Sequence, residues 1–352
     1  MKIVTIIGAR PQFIKSAPLS IAFKKFNLEE IVIHTGQHFD KNMSEVFFSE
    51  MKIPKPKYFL NINSLNHGAM TGRMLEEIEK ILILEKPRYV LVFGDTNSTL
   101  AGALAASKLH IDVIHVEAGL RSYNRLMPEE VNRVLTDHLS KYLFCPSSSS
   151  IHNLEKEGIT KTKSRHVSDV GDIMKDSLRL FSEKVGHLNE KKDTILCTIH
   201  RQENVGNKNA LENIVNNLNE LSKKYKIIFP LHPSTKKWIK KFDLKLKFDI
   251  SEPLGFLEMI KALKECSIVI TDSGGLQKEA YYLSKPCLTL REETEWIELL
   301  ENGCNTVLGN NPKNLVEIVT NKLSEQLSFN SQLYGSGDTS DYIVEEIINT
   351  KL

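Results

Sequence analysis

Short apolar, β-branched runs alternate along the whole chain with longer stretches in which apolar residues recur every three or four positions. That alternation predicts parallel sheets built from βαβ units. In the first half the strand-like runs are Lys2–Ile7, Glu30–Thr35, Tyr89–Phe93, Asp112–Val116, Tyr142–Cys145 and His166–Val170. Between them lie helical patterns such as Gly68–Glu85, where Met70, Met74, Ile78, Ile81 and Leu82 share one face at 3.6-residue spacing and mark a core stripe. The polar, charged stretch Ser182–Asp193 breaks the rhythm and reads as an interdomain linker or surface crossover. A second series follows: Thr194–Thr198, Lys226–Pro230, Phe248–Ser251, Ser267–Thr271, Cys287–Leu290 and a weaker Thr306–Val307. The tail Asp341–Lys351 carries Ile343, Val344, Ile347 and Ile348 on one side, the pattern of a helix that closes onto the rest of the protein. The expected fold class is α/β, with two Rossmann-like, doubly wound parallel-sheet domains, one spanning 1–181 and joined by a C-terminal helix at 341–352, the other spanning 182–340.

Length agrees with two domains, since 352 residues exceed what one hydrophobic core usually organises. A chain that is 41% hydrophobic and 26% charged, with 18 Gly and 12 Pro, is neither disordered, collagenous nor a coiled coil. Charge changes the picture more. Lys+Arg 46 against Asp+Glu 44 leaves a net +2, so no bulk excess recruits nucleic acid or an anionic membrane, and any anionic ligand must be met locally. The first apolar run ends at Gly8 and Arg10, short of a secretory leader, and no later window is apolar enough to span a bilayer, so a cytoplasmic location is expected. Cys145, Cys197, Cys266, Cys287 and Cys304 lie far apart without a CxxC pair, as buried thiols of a reducing compartment do, and no metal site is expected.

Ligands of open α/β sheets bind outside the carboxyl ends of the strands, and this chain concentrates its unusual residues there. Apolar runs lead directly into Gly8-Ala9-Arg10-Pro11, Gly94-Asp95-Thr96, Glu117-Ala118-Gly119-Leu120-Arg121, His200-Arg201, His232-Pro233 and Asp272-Ser273-Gly274-Gly275. An Asp after a strand is commonly a helix N-cap, but so many such endings in both halves suggest two halves of one site. The clearest physics belongs to Ser273-Gly274-Gly275, where glycines and a following helix N-terminus bring backbone amides to an anion. The segment is neither GxxxxGK[ST] nor GxGxxG, which disfavours a nucleoside triphosphate loop and a nicotinamide fingerprint. With Arg10, Lys15 and His200 it can hold a diphosphate without metal, and Glu279, one turn beyond Gly275, can accept both hydroxyls of a ribose or stand as a solvated helix carboxylate.

A second, acidic constellation comprises Asp95, Glu117 and Glu129, the last within Met127-Pro128-Glu129-Glu130-Val131-Asn132-Arg133. Pro128 followed by two glutamates is also good chemistry for a helix start, so one of Glu129 and Glu130 is expected to be structural. Carboxylates clustered near an anion make sense where their environments divide them into an acid and a base.

At these residues the chain resembles the non-hydrolysing UDP-N-acetylglucosamine 2-epimerases, of the glycosyltransferase-B fold. The resemblance rests on GARPQFIKSAPL (8–19), TGQHFDKNM (35–43), GDTNSTLA (94–101), HVEAGLRS (115–122), MPEEVNR (127–133), VGD (170–172), TIHRQEN (198–204), PLHP (230–233), TDSGGLQKEA (271–280) and KPC (285–287), in collinear order over nearly the whole chain. It implies two domains facing across a cleft. Arg10, Lys15 and His200 would face the diphosphate, Ser273, Gly274 and Gly275 would cradle it, Glu279 would hold the ribose and the loop from Pro253 to Phe256 the uracil. Asp95, Glu117 and Glu129 would form the acid/base group, His200 would assist departure of UDP, and Arg133 would lie nearby. The resemblance further implies a homodimer that needs no cofactor, acting on a UDP-sugar in precursor synthesis for cell-surface polysaccharide. Gln37, His38, Met43 and Arg73 match the region where some relatives bind a second, activating UDP-sugar.

The implied reaction suits these residue types. The hydrogen at C2 of a 2-acetamido sugar is not acidified by a ketone; expelling UDP from C1 gives a 2-acetamidoglucal, and re-addition after protonation of the opposite face inverts C2. Cations stabilise the departing diphosphate and carboxylates move the proton. Where the classical sequences read Thr-Glu-Arg-Pro-Glu, this chain has Thr294-Glu295-Trp296-Ile297-Glu298, which is similar to epimerases of UDP-2,3-diacetamido-2,3-dideoxy-glucuronate. Trp296 is expected either to pack against an additional C3 acetamido group, its N–H on the carbonyl, or to fill a gap between helix and sheet. A glycosyltransferase of the same fold, a hydrolysing epimerase that releases UDP, and a non-catalytic UDP-sugar sensor remain as alternatives; the trio Asp95, Glu117 and Glu129 separates the epimerase from a transferase or a sensor.

Overall fold

The computed structural model describes residues 1–37, 53–330 and 332–350. The chain divides into two compact units, Met1–Leu180 with Gln332–Leu352 and Phe181–Ser331. Each is built on a parallel sheet.

In the first unit the strands are β1 (Lys2–Ile7), β2 (Glu29–His34), β3 (Tyr58–Phe59), β4 (Tyr89–Phe93), β5 (Asp112–Val116), β6 (Tyr142–Cys145) and β7 (His166–Asp169). They pair in the order β3-β2-β1-β4-β5-β6-β7, every pair parallel. Helices cover the faces, so the central strands are buried on both sides and read as continuous apolar runs; all five residues of β4, Tyr-Val-Leu-Val-Phe, are buried. Against this sheet pack the helices His67–Glu85 and Asn97–Lys108. The first buries Met70, Met74, Ile78, Ile81 and Leu82, the stripe expected from spacing. The second approaches closely because of Gly102, where a Cβ would stand 2.6 Å from Ile6 Cδ1.

The second unit carries β8 (Thr194–Thr198), β9 (Lys226–Ile228), β10 (Ile268–Thr271), β11 (Cys287–Thr289) and β12 (Asn305–Val307), ordered β12-β11-β10-β8-β9 and again parallel. The expected strand at Phe248–Ser251 is reduced to one bridge between Ser251 and Pro230. Proline has no N–H to extend a ladder, and Phe248 packs onto the core as a partly buried side chain instead. Two further departures concern ends and edges. The two-residue β3 was not anticipated, and the helix Ile173–Val185 runs into the polar stretch at 182–193. All five cysteines are free and buried, and burial pushes their thiols up, those of Cys266 and Cys287 to about 12.

The C-terminal helix Thr339–Asn349 buries Ile343, Val344 and Ile347. Its first amides are capped from another helix: Asp176 accepts from Thr339 N (3.2 Å) and from Ser340 N and Oγ (2.7 and 2.8 Å). The matched VGD turn guides the chain to this point, since Asp172 N donates to Tyr334 O at 3.0 Å and a Cβ on Gly171, whose φ is +81°, would meet Tyr334 O at 2.8 Å.

The strand orders fix where ligands are expected. In the first sheet the order reverses between β1 and β4; in the second it reverses between β8 and β10. Crevices outside the carboxyl ends of strands at such reversals are the binding places of doubly wound folds. Gly8-Ala9-Arg10 and Gly94-Asp95 flank the first reversal, His200-Arg201 and Asp272-Ser273 the second.

Candidate active site

In the first unit, Gln12 braces the two strand ends at the reversal. Its Oε1 accepts from Gly8 N (2.8 Å) and Ala9 N (3.0 Å), while Nε2 donates to Phe93 O and to the hydroxyls of Thr96 and Thr99, each at 3.0 Å. Sequence reasoning did not single out Gln12, although it lies within the matched GARPQ segment. The loop it holds begins the helix Arg10–Lys25, on which Arg10 is half-buried and Lys15 buried.

Lys15 Nζ forms an ion pair with Glu117 Oε2. Glu117 follows β5 at φ +70°, a left-handed backbone that costs a side-chain-bearing residue about 1–3 kcal/mol and is kept where surrounding structure over-determines it. Here Glu117 N and Ala118 N both donate to Phe144 O, at 3.1 and 3.0 Å. Asp95 is paired with Arg133, whose Nε lies 3.1 Å from Asp95 Oδ2 and whose Nη2 touches the same oxygen. Burial pushes the Asp95 carboxyl up, the charge of Glu117 adds to the rise, and Arg133 and Lys15 oppose it. Each carboxylate thus has its own cation, and the charge of Glu117 is felt at Asp95, a setting in which an acid and a base can be separated.

The helix Pro128–Leu139 divides its first-turn glutamates. Glu130 is buried and accepts from Ser122 N (2.9 Å), Ser122 Oγ (3.0 Å), Tyr123 N (2.9 Å) and Arg133 Nη1 (3.1 Å); it folds the preceding loop. Glu129 is exposed. Asn132, also unforeseen, donates to Asp95 O at 2.9 Å. Gln37 accepts from Ser98 N (3.0 Å) and Oγ (2.7 Å), and so belongs to the start of the helix that follows Asp95. Arg73 is exposed on the helix His67–Glu85. His38 and Met43 lie outside the described residues.

In the second unit Asp272 is fully buried and acts as the hub of the reversal. It accepts from His200 N (3.1 and 3.0 Å), Arg201 N (2.9 Å) and Asn204 Nδ2 (3.0 Å), and faces His200 Nδ1 at 3.2 Å. Burial alone would raise this carboxyl; hydrogen bonding and charge from His200, with the Asn204 and Arg201 donors, hold it below its ordinary value. Bonding of Nδ1 orients the ring and leaves Nε2 to a ligand, the arrangement by which a carboxylate positions a histidine. The His200 side chain is 41% exposed.

Ser273 caps the helix Gly274–Tyr282, its Oγ accepting from Leu276 N at 3.4 Å. Gly275 is exposed, with open space where a Cβ would stand, whereas a Cβ on Gly274 would meet Glu295 Oε1 at 2.4 Å. The helix start thus offers free approach to an anion at Gly275 and a tight fit behind it. Glu279 is half-buried on this helix. Pro253 is exposed, but the Phe256 ring is buried edge-on against Phe181, with centroids 5.6 Å apart, so a ligand at this loop meets main chain rather than that ring.

For Trp296 the sequence leaves two readings open, contact with a C3 acetamido group or filling of a gap between helix and sheet. Its side chain is buried, its Nε1–H donates to Gly274 O at 2.9 Å, and Lys278 Nζ lies 3.9 Å from the ring centroid. The indole donor is committed to the cradle, which the residue braces from behind, together with the Arg291–Glu295 pair at 2.7 Å. No group of three or more His, Cys, Asp or Glu side chains suited to a metal ion occurs among the described residues, and no helix there is long and apolar enough to cross a membrane.

The family described as UDP-N-acetylglucosamine 2-epimerase matches residues 22–348. The chain is 49% identical to the UDP-2,3-diacetamido-2,3-dideoxy-D-glucuronate 2-epimerase of Pseudomonas aeruginosa, over 98% of this chain and 99% of that protein. It is also 49% identical to a UDP-N-acetylglucosamine 2-epimerase homolog of Methanococcus maripaludis, over 99% of this chain and 100% of that one. The solved structure of Methanocaldococcus jannaschii UDP-GlcNAc 2-epimerase in complex with UDP-GlcNAc and UDP superposes with a TM-score of 0.87 at 43% identity, covering 99% of this chain and 100% of that chain. A likeness of fold alone, with a TM-score of 0.59 at 16% identity, extends to a Streptomyces glycosyltransferase complexed with thymidine diphosphate, in keeping with a glycosyltransferase-B-like architecture. The chain belongs to the UDP-N-acetylglucosamine 2-epimerase family.

Proposed function

We propose that the protein inverts C2 of a UDP-2-acetamido sugar by eliminating UDP and adding it back. The observation that carries this reading is the pair Asp95 and Glu117, each joined to a cation, with the charge of Glu117 adding to the rise of the Asp95 carboxyl, at the strand reversal of an epimerase-family chain. One carboxylate removes the C2 proton and the other returns one to the opposite face, while Arg133 and Lys15 hold their geometry. Glu129, exposed at a helix start, is the third carboxylate of the group. In the second unit the Gly275 amide and helix dipole, with His200 Nε2, stabilise the negative charge on the departing diphosphate; Arg10 and Lys15 contribute from the first. Glu279 takes the ribose and the main chain from Pro253 to Phe256 the uracil. Protein groups alone carry every step. We place the enzyme in the cytoplasm, as a homodimer supplying activated sugars for surface polysaccharide, with the region of Gln37 and Arg73 as the candidate place for a regulatory UDP-sugar.

For the substrate, the names of the relatives divide between UDP-N-acetylglucosamine and its 2,3-diacetamido uronate analogue at equal identity. The Thr294–Glu298 variant favours the uronate, although Trp296 itself does not reach it through the indole N–H.

Incubation of both UDP-sugars in deuterium oxide tests the reaction. The inverted product is expected to carry deuterium at C2; inversion with the original hydrogen retained would exclude elimination. The ratio of kcat/KM for the two sugars then assigns the substrate.

A further inference from the structure

Beneath the carboxylate pair lies a buried histidine that the proposed chemistry does not use. His115, in β5, has no exposed surface. Its Nδ1 is 2.7 Å from Asp137 Oδ1 and its Nε2 is 2.8 Å from the carbonyl oxygen of Gly94. A carbonyl can only accept, and the Asp137 carboxylate, whose other oxygen takes Gly119 N at 3.2 Å and the Arg121 guanidinium at 2.7 Å, also only accepts. Both ring nitrogens must then donate. A neutral ring has one N–H and would leave two acceptors in contact where neither side chain reaches solvent.

We propose that His115 is a positioning residue, a buried imidazolium that clamps the Gly94 carbonyl and Asp137 and thereby fixes Asp95 and Glu117 relative to each other. This rests on the role of those two carboxylates proposed above. Gly94 immediately precedes Asp95, has φ +60°, and donates its own N–H to Val116 O at 3.0 Å, so its two polar groups tie it to His115 and Val116, the last two residues of β5. Lys15 Nζ and Glu117 Oε1 both lie 3.9 Å from the point where a Gly94 Cβ would stand. On the other side, Asp137 Oδ2 accepts from Gly119 N at 3.2 Å and Arg121 Nη1 at 2.7 Å, the turn directly after Glu117. Arg121 continues to Glu157 through two bonds of 2.7 and 2.8 Å. His115 and Arg121 thus balance Asp137 and Glu157, and the cluster binds the Gly94-Asp95 turn, the Glu117–Arg121 turn and the helix that carries Arg133. Two further titratable groups face it: Cys145, whose thiol is pushed up by burial and by the Asp137 charge and is therefore neutral, and His138, whose Nε2 lies 3.8 Å from Glu157 Oε2 at the outer end of the cluster.

Two measurements test this. In nitrogen-15 spectra of the intact protein at pH 7.5, the His115 signals, assigned by their loss in His115→Gln, are expected to show N–H on both ring nitrogens; a single protonated nitrogen overturns the proposal whether or not the enzyme is active. In kinetics, His115→Gln can satisfy only one of the two acceptors with a donor. Its kcat is expected to fall about 10- to 100-fold with the Kd for UDP changed less than about twofold, and the pH profile of kcat is expected to move because a charge next to Asp95 is lost. If the variant does not fold, the spectrum of the wild-type protein, assigned by residue-selective labelling, still decides. Unchanged kcat and pH profile in a folded variant would refute the positioning role, and a wild-type protein inactive on both UDP-sugars would refute the reaction while leaving the charge state to the spectrum.

Discussion

Asp95 and Glu117 carry the same functional group but meet different surroundings. Asp95 leans on Arg133 across a helix, whereas Glu117 is set by a left-handed backbone and faces Lys15. Groups that act on the transition state are expressed in kcat, so Asp95→Asn and Glu117→Gln are each expected to lower turnover about 100-fold or more while UDP affinity changes little; near-normal turnover in either would make that residue structural. At the second reversal, His200→Ala is expected to weaken UDP binding and slow its departure together, since Asp272 aims the ring at the ligand side. Trp296→Phe keeps an aromatic ring over Lys278 but removes the bond to Gly274 O. It is expected to weaken UDP binding while leaving the kcat/KM ratio of the two candidate sugars unchanged; a shift of that ratio would restore Trp296 to the substrate. What sequence could not supply here is direction. The motif leaves the indole free to face a ligand or to fill a gap between helix and sheet, and the structure turns its donor to the Gly274 carbonyl at the start of the cradle helix.

Elements were legible where burial forces a pattern and obscure where tertiary contacts do. β1, β4, β5, β6 and β8 have the limits expected from their apolar runs, because two-sided burial admits few polar residues. β3 has only two residues and owes its place to Glu85, which closes the helix His67–Glu85 and receives Lys57, Tyr58 and Lys2; nothing local announces such a strand. Bonding from Lys57 and Tyr58 lowers the Glu85 carboxyl to about 2. A carboxyl lowered on folding contributes stability that is complete above the ordinary range and lost as pH falls through the folded value. Glu85→Gln should therefore lower the urea midpoint at pH 6, with the gap to wild type beginning to close below about pH 4.3; a gap independent of pH would mean that packing, not charge, holds the edge. Gly102 tests helix seating in the same unit. Its alanine variant must displace Ile6 or Val92, and overpacking of this kind costs about 1–3 kcal/mol, measurable by urea unfolding.

At the level of the molecule, the chain returns to its first unit after completing the second, and this closing segment is secured by several unlike interactions. Ile343, Val344 and Ile347 are buried, each worth about 1.5–3 kcal/mol on complete removal from water. Lys25 pairs with Asp341 at 2.6 Å and Arg179 with Asp338 at 2.7 Å; both are exposed and contribute little. His166 Nε2 meets Glu346 at 2.8 Å. Most consequential is Asp176, whose carboxylate is buried and pushed up by that burial, and which has Thr339 and Ser340 as donors. Deleting 339–352 would uncover the apolar face and leave that carboxylate without them, losses that together rival the whole stability of a domain of this size, about 5–15 kcal/mol. The truncated protein is expected to lose hydrogen-exchange protection in β6, β7 and the helix Ile173–Val185, while β8, β10 and β11 keep theirs and UDP still binds the second unit. Asp176→Asn, which retains size but only one accepting oxygen, should show the same spatial pattern at smaller amplitude. Uniform loss of protection across both units would instead mean that they unfold as one cooperative body, and that the returning segment stabilises the whole molecule rather than the sheet on which it lies.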